Sequence, residues 1–283
     1  MKRFSVVLSG RSYANLDKYG FGRGKMAHEF DGKKYEKASD HQKEWGTKLI
    51  AELNLKGAER VLDLGCGDGS ITAQIAALLP EGEVLGIDAS EGMIAAAIPK
   101  KQMNLNFSKL DINELDFVED FDVVFSNATL HWVKDHKRLL KNVYRSLRPG
   151  GLLRFNFAGE GNCLNFYSVI KEAMARDEFR SFFAEFEWPW YMPPLNEYRA
   201  LAENSGLQDM RVWRENADIY FPDEEAMIRW VDQPSLVPFL AYVAEQQKDS
   251  FRGFVVHRMV EETKQEDGRC FETFRRINVF AKK

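Results

Sequence analysis

The chain has 283 residues, of which 45% are hydrophobic and 29% charged, and its formal net charge is −4. This composition is typical of a globular protein, and the acidic balance makes nucleic acid an unlikely main partner. No apolar run approaches the roughly 20 residues that a membrane-spanning helix needs. The three cysteines, Cys66, Cys163 and Cys270, lie far apart and without metal-binding spacing. We therefore expect a cytoplasmic protein with no resident metal and no membrane segment.

Residues 1–28 differ from the rest of the chain in charge. The first 25 residues contain six lysines and arginines against a single acid, Asp17. Because the segment shows no strong hydrophobic period, it is predicted to be a flexible extension; a flap that folds over an active site is the alternative. A helical pattern follows from Glu29 to Leu55.

Apolar strands and amphipathic helices alternate through the middle of the chain. Strands are predicted at residues 60–64, 83–87, 104–109, 121–126 and 152–157, with helices at 70–79, 90–97 and 135–147. This alternation predicts a mostly parallel, doubly wound sheet with helices on both faces. Farther on, the pattern predicts a helical, aromatic-rich segment at residues 160–195 and a helix at 196–205. A strand at 207–213, a group of helices at 223–264 and a last strand at 270–280 follow.

Residues 61–69 read Val-Leu-Asp-Leu-Gly-Cys-Gly-Asp-Gly. A short buried strand, three alternating glycines and a helix from Ser70 indicate a turn in which main chain approaches a ligand closely. The spacing departs from the Gly-x-Gly-x-x-Gly of dinucleotide folds. Asp63 would repel a pyrophosphate but attract an ammonium group. The pattern therefore suits S-adenosylmethionine, whose amino acid end is zwitterionic.

On these motifs, residues 57–157 resemble a class I S-adenosylmethionine-dependent methyltransferase domain. Asp88 ends the second strand, where a carboxylate can accept both ribose hydroxyls. The resemblance implies adenine contacts at Asp111 and Ile112, and main-chain contacts to the cofactor's amino group at Asn127. Cys66 is better explained by its small size than by catalysis. The predicted cofactor-binding residues are Asp63, Gly65, Cys66, Gly67, Asp88, Ala89, Met93, Asp111, Ile112 and Asn127.

Within this superfamily the chain is similar to the trans-aconitate methyltransferases. The matching stretches are residues 125–133, 225–231, 236–240, 267–268 and 274–277. Insect juvenile hormone acid methyltransferases share a similar Leu-His-Trp-Val motif. The resemblance implies methyl esterification of a small carboxylic acid, whose carboxylate is already ionised near pH 7 because its pKa is about 4.

A carboxylate acceptor favours a cationic partner, for which Arg275 and Arg276 are the candidates. Consecutive strand residues point to opposite faces, so at most one of the two should face the acceptor. His131 is a candidate general base, with a packing or orienting role as the alternative. Aromatic residues that could line the acceptor pocket are Tyr35, Trp132, Trp190 and Trp230.

The predicted fold is therefore α/β, a doubly wound, mostly parallel seven-stranded sheet of Rossmann-like methyltransferase type with an inserted helical lid. Residues 29–159 are predicted to form the cofactor-binding core with an N-terminal lid helix. Residues 160–283 are predicted to add acceptor-side helical insertions and the last strands of the same domain.

The predicted enzyme transfers a methyl group from S-adenosylmethionine to a small molecule, leaves S-adenosylhomocysteine, and acts as a monomer or homodimer. Three alternatives remain open: methylation of an amine, carbon or phenol acceptor with a general base, cofactor binding without turnover, and an NAD(P) oxidoreductase.

Overall fold

The computed structural model of the chain describes residues 29–32, 34 and 40–283, so residues 1–28 and Tyr35 lie outside the described residues. The described strands are β1 Arg60–Leu64, β2 Glu83–Asp88, β3 Leu105–Lys109, β4 Phe121–Asn127, β5 Leu147–Ala158, β6 Gln208–Asn216, β7 Ile219–Phe221, β8 Cys270–Glu272 and β9 Arg275–Lys282. The helices are α1 Asp40–Ala51, α2 Ser70–Ala77, α3 Glu91–Ala97, α4 His136–Ser146, α5 Leu164–Ala175, α6 Leu195–Glu203, α7 Glu224–Trp230, α8 Val237–Leu240 and α9 Lys248–Thr263.

Seven strands form one sheet in the order β3-β2-β1-β4-β5-β9-β6. The contacts from β3 through β5 are parallel, whereas β9 runs antiparallel to both of its neighbours. The predicted doubly wound, mostly parallel seven-stranded sheet is confirmed. Strand order reverses between β1 and β4, and ligands of such sheets bind beyond the carboxyl ends of the strands at this switch point.

Short polar caps explain where several helices begin. Ser90 accepts a hydrogen bond from the Met93 amide at the start of α3, and Asp223 accepts one from the Ala226 amide at the start of α7. Such caps satisfy main-chain donors that the first turn of a helix leaves open. Among the described helices, none is both long enough and apolar enough to cross a membrane.

The core has three buried hydrophobic clusters. Two of them pack on the large sheet. We define the helical lid as α5 and α7–α9, and the third cluster joins this lid to the aromatic residues around it. Both β5, from the predicted core segment, and β9, from the predicted acceptor-side segment, belong to the same sheet.

Two predictions for the C-terminal half are wrong in detail. The strand predicted over residues 270–280 is broken: β8 pairs with β7 in a separate two-stranded sheet, and only β9 enters the large sheet. At the break, the Glu272 carboxylate accepts the amide hydrogens of Thr273 and Phe166. Residues 160–195 are not helical throughout, because α5 ends at Ala175 and the three prolines within residues 189–194 lack an amide donor.

Candidate functional site

The glycine turn after β1 has left-handed main chain, with φ of 71° at Gly65, 55° at Gly67 and 77° at Gly69. A Cβ atom on Gly65 would lie only 2.0 Å from Cγ2 of Thr129. The Thr129 hydroxyl also donates a hydrogen bond to the Gly65 carbonyl at 3.0 Å. Gly65 is therefore required both by its own conformation and by the close approach of the chain that follows β4.

Asp63 lies in β1 just before this turn and is buried. Its carboxylate accepts a hydrogen bond from the Thr72 hydroxyl at 2.7 Å. Burial raises the pKa of Asp63 to about 7, the charge of Asp88 adds to that rise, and the Thr72 bond opposes it. In the ligand-free protein this carboxyl group is therefore partly protonated at neutral pH.

Asp88, at the carboxyl end of β2, holds the turn from the other side. Its two carboxylate oxygens accept main-chain amide hydrogens from Gly67 at 3.0 Å and Ser90 at 2.9 Å. Burial raises its pKa, and these hydrogen bonds oppose the rise. Nearby, the Glu29 carboxylate accepts hydrogen bonds from the Ser90 hydroxyl and the Gly92 amide. Glu29, which precedes α1 in the chain, therefore lies against the start of α3.

A first cavity, which we name the turn cavity, opens beside these groups. It is lined by Gln42, Lys43, Asp63, Gly65, Cys66, Gly67, Asp68, Ile71 and Asn127. The Asn127 side-chain amide donates to the Gln42 main-chain carbonyl at 2.8 Å, while its Oδ1 atom is buried without a hydrogen-bond partner among the described residues. Burial and the nearby Asp88 and Asp63 raise the pKa of the Cys66 thiol, so Cys66 is not poised as a nucleophile.

A second cavity, which we name the aromatic cavity, lies next to the first and shares Gln42 with it. Its lining residues are Gln42, Trp45, Ala128, His131, Trp132, Ala158, Asn162, Cys163, Phe166, Tyr167, Trp190, Met192, Trp230, Pro234, Ser235, Phe274 and Arg276. Of the four predicted pocket aromatics, Trp132, Trp190 and Trp230 line this cavity, and Tyr35 is outside the described residues. Helix α1 contributes to both cavities and so covers the switch point of the sheet.

Arg276 lines the aromatic cavity with only 3% of its surface exposed. Its Nε donates to the Asn156 side-chain oxygen at 2.8 Å, and its guanidinium lies 4.6 Å from the centre of the Trp45 ring. Arg275 does not line the cavity: its guanidinium pairs with Asp218. The alternation of side chains along β9 thus separates the two arginines, which corrects the prediction of Arg275 as a residue of the site.

His131 also lines the aromatic cavity, and its Nδ1 atom is buried with no hydrogen-bond partner in the described part of the chain. Burial lowers the pKa of His131 well below 6.5, and the charges of Arg276 and His136 lower it further. Burial also lowers the pKa of His41, in α1, to about 3, and the charge of Arg276 lowers it further. Both imidazoles are therefore neutral and weakly basic at pH 7.

Five of the predicted cofactor residues line neither cavity: Asp88, Ala89, Met93, Asp111 and Ile112. Asp88 ends β2, and the other four follow the carboxyl ends of β2 and β3. Met93 and Ile112 are buried, and Asp111 accepts hydrogen bonds from the main-chain and side-chain amides of Asn113. The structure therefore brings Asp63, the glycine turn and Asn127 to one cavity and leaves these five beside it.

The cavities also contain residues that the sequence pattern did not single out. Gln42 and Asn162 carry no motif that marks them. Asn156, which holds Arg276, was detectable in principle, because a polar residue interrupts the apolar end of β5, Phe155-Asn156-Phe157. Within the described ranges, no group of three or more His, Cys, Asp or Glu residues is arranged to hold a metal ion.

Comparison with known proteins identifies the family. Residues 61–151 match the family of the methyltransferase domain. A trans-aconitate 2-methyltransferase from Deinococcus radiodurans is 32% identical over 201 residues, which cover 69% of this chain and 77% of that protein. One from Escherichia coli is 29% identical over 83% of this chain and 91% of its own length. The chain therefore belongs to the class I S-adenosylmethionine-dependent methyltransferases, in the branch of the trans-aconitate 2-methyltransferases.

Solved structures support the fold. A structure of phosphoethanolamine N-methyltransferase 2 from Haemonchus contortus, in complex with S-adenosyl-L-methionine, superposes with a TM-score of 0.56 at 21% identity over 89% of this chain. The match covers 56% of that protein, so this chain spans about half its length. At this identity the likeness establishes the Rossmann-like fold alone.

Family membership makes this chain an enzyme with S-adenosylmethionine as its methyl donor, and it gives no support to the NAD(P) oxidoreductase alternative. The turn cavity suits the zwitterionic end of this cofactor. The Asn127 Oδ1 atom, which has no partner among the described residues, can accept a hydrogen bond from an ammonium group, and Asp63 can supply a negative charge beside it.

Proposed function

We propose that the enzyme transfers the methyl group to a carboxylate of a small organic acid and forms a methyl ester. The observation that carries this proposal is Arg276, a buried guanidinium in the wall of the aromatic cavity, directly beside the cavity of the glycine turn. A guanidinium in such a place favours a planar anion, which it can bind through two parallel hydrogen bonds.

The cofactor contacts follow from the same arrangement. We assign the amino group to Asp63 and Asn127, and the ribose hydroxyls to Asp88. The main chain of Gly65, Cys66 and Gly67 is assigned to the methionine part. The adenine is assigned to the residues that follow β2 and β3, namely Ala89, Met93, Asp111 and Ile112. Support comes from the Asn127 oxygen that has no partner among the described residues, from the position of Asp88 at the end of β2, and from the left-handed turn that lines the turn cavity.

The cofactor supplies an electrophilic methyl group that a carboxylate oxygen can displace from sulfur without any proton transfer. The enzyme's own residues then serve mainly to position the acceptor and to exclude water. Asn156 fixes the Arg276 guanidinium, which orients the acceptor carboxylate, and Trp132 and Trp190 enclose the aromatic cavity. Positioning of this kind can lower a barrier by roughly 7 to 11 kcal/mol.

His131 bears on the second candidate, methylation of an amine, carbon or phenol acceptor. A general base works best when its pKa lies near the working pH, whereas burial lowers that of His131 well below 6.5. We therefore assign His131 an orienting role, in which the buried Nδ1 atom makes a hydrogen bond to the acceptor. The weak basicity of His131, which lines the aromatic cavity, supports a carboxylate acceptor, because such an acceptor needs no base.

The experiment is methyl transfer from S-adenosylmethionine labelled in its methyl group to a panel of small organic acids, phenols and amines. Products are then treated with mild alkali, which releases the label of a methyl ester as methanol. Release of the label supports the proposal. A product that keeps its label in alkali contradicts it, since the methyl group would then be on nitrogen, carbon or an ether oxygen. Absence of any product would favour cofactor binding without turnover.

A further inference from the structure

The described lining of the aromatic cavity contains one source of positive charge. Arg276 is the only lysine or arginine among the lining residues that the structure describes. The imidazole of His131 is neutral at pH 7 because burial and Arg276 lower its pKa. The cavity therefore offers one fixed cation, held in place by Asn156 and stacked on Trp45.

Aromatic rings form much of the remaining wall. Seven of the seventeen lining residues that the structure describes are aromatic, and several of them touch one another. The ring centres of Phe166 and Trp230 are 5.9 Å apart, those of Trp230 and Phe274 are 5.6 Å apart, and those of Trp132 and Trp190 are 5.6 Å apart. Such contacts form an apolar surface in the same cavity as the guanidinium.

Two lysines lie close to this wall but do not line the cavity. Lys134 donates to the main-chain carbonyls of Trp188 and Trp190. The Lys171 ammonium lies 5.8 Å from the centre of the Trp188 ring and 5.9 Å from that of Tyr167. Neither lysine is among the lining residues, so the described residues provide no second cation inside the cavity.

We infer that the acceptor carries a single carboxylate on an apolar, preferably flat body. This inference rests on the proposed function and names its substrate class. One carboxylate pairs with Arg276, and the rest of the molecule packs among the rings. A second carboxylate would be buried against the aromatic wall, where the described residues offer no counter-ion, and such burial is strongly unfavourable. Polycarboxylates such as trans-aconitate therefore fit this cavity poorly, although they give the related enzymes their name.

The covalent step balances without a further reactant. An oxygen of the single carboxylate forms the new bond to the methyl carbon while the carbon–sulfur bond breaks. The electron pair of that bond stays on sulfur, which becomes a neutral thioether. The negative charge of the acceptor and the positive charge of the sulfonium are both lost, so no proton needs to move.

The test compares acids that differ only by a second carboxylate: hexanoate with adipate and octanoate with suberate, together with trans-cinnamate and trans-aconitate. The full-length enzyme and labelled S-adenosylmethionine are used, and alkali-labile product is measured. We expect kcat/KM for each monocarboxylate to exceed that of its dicarboxylate by at least 100-fold, about 2.7 kcal/mol. Equal or higher values for the dicarboxylates or for trans-aconitate overturn the inference and leave the proposed function standing. Absence of ester from every acid overturns both.

A matched pair of variants tests the role of the wall itself. Met192 is half-buried, lines the aromatic cavity and lies outside regular secondary structure, whereas Met103 is fully exposed and lines neither cavity. Met192→Arg adds a second cation to the wall. We therefore expect the ratio of kcat/KM for hexanoate to kcat/KM for adipate to fall at least tenfold. Met103→Arg should leave the ratio unchanged, and thermal melts show whether both variants fold. An unchanged ratio in folded Met192→Arg overturns the inference.

Discussion

The side chain of Asn127, at the carboxyl end of β4, donates a hydrogen bond to the main-chain carbonyl of Gln42 in α1 at 2.8 Å. This bond ties the helix that covers the site to the switch point of the sheet. Because Gln42 lines both cavities, the same contact positions the residue that the turn cavity and the aromatic cavity share.

Gln42→Leu tests this position. The variant keeps the main-chain contact with Asn127 and removes an amide whose Oε1 atom is buried with no partner among the described residues. We expect kcat to fall about tenfold, because the amide can no longer orient the ligands, while stability stays equal or rises by up to ~1 kcal/mol. Lys48→Leu, on an exposed position of the same helix, is the control. Unchanged kcat in Gln42→Leu would exclude an orienting role.

Asp88 is expected to provide the largest single contribution to cofactor binding. Asp88→Ala should weaken binding of S-adenosylmethionine at least tenfold, about 1.4 kcal/mol, as measured by calorimetric titration. Its carboxylate also accepts the Gly67 and Ser90 amides, so denaturant unfolding of the same variant is needed to measure how far the turn is destabilised. Unchanged affinity in the folded variant would defeat the assignment.

The two adjacent arginines form a natural comparison. Arg276→Gln should raise the KM for the acid acceptor at least tenfold and leave the dissociation constant of S-adenosylmethionine within twofold. Arg275→Gln should change neither by more than twofold, because that side chain pairs with Asp218 rather than lining the cavity. Steady-state kinetics and calorimetry distinguish the pair. Similar small effects from both variants would argue against a carboxylate clamp at Arg276.

Asp63 should link cofactor binding to pH. Its folded-state pKa of about 7 lies above the ordinary value of 3.8, so the ligand-free protein keeps a proton there that the unfolded chain loses. Its contribution to stability is therefore lost as pH rises from about 4 to about 7. An ammonium group favours the ionised form, so affinity for S-adenosylmethionine should rise with pH over the upper part of this range.

Calorimetry at pH 6.5 in two buffers of different ionisation enthalpy measures the proton released on binding. Asp63→Asn should abolish the proton release that comes from Asp63. Asp68→Asn, a change in the same cavity, should leave that proton release unchanged. The same release from the wild type and from Asp63→Asn would show that another group carries the linkage.

Gly65 should be more sensitive to substitution than another left-handed glycine. At Gly65 an added Cβ meets Thr129 at 2.0 Å, whereas at Gly150, with φ of 79°, it meets nothing within 4 Å. Gly150→Ala should cost about 1 to 2 kcal/mol from its conformation alone. Gly65→Ala should cost at least ~1 kcal/mol more, by denaturant unfolding. Equal costs would mean that the chain near Thr129 can move away.

Local signals were sufficient for much of the fold. The strand β1, the glycine turn and the start of α2 at Ser70 were predicted from neighbouring residues, because a buried run, a glycine turn and a helix start are encoded within a few positions. The alternation of side chains along a strand also predicted that the two arginines of β9 point to opposite faces of the sheet. It could not tell which one lines the site, since that depends on the pairing of Arg276 with Ala158 in β5.

Other features depend on contacts between distant residues. The break between β8 and β9 is stabilised by the Glu272 carboxylate, which binds the Phe166 amide at the start of α5, more than 100 positions away. The position of Gln42 depends on how α1 packs against β4, and the hydrophobic periodicity of the sequence does not predict that packing. Residues that join two elements are therefore the ones that a linear pattern misses.

The last described strand, β9, lies between β5 and β6 in the sheet although it follows both in the chain. While the chain is being synthesised, the edge of β5 therefore stays open, and open edges favour association with other chains. A fragment trimmed to the matched segment, residues 61–151, would lack residues 152–158, the part of β5 that pairs with β9, and is a poor candidate for expression alone. Since Arg276 belongs to β9, the strand that completes the sheet also completes the wall of the aromatic cavity.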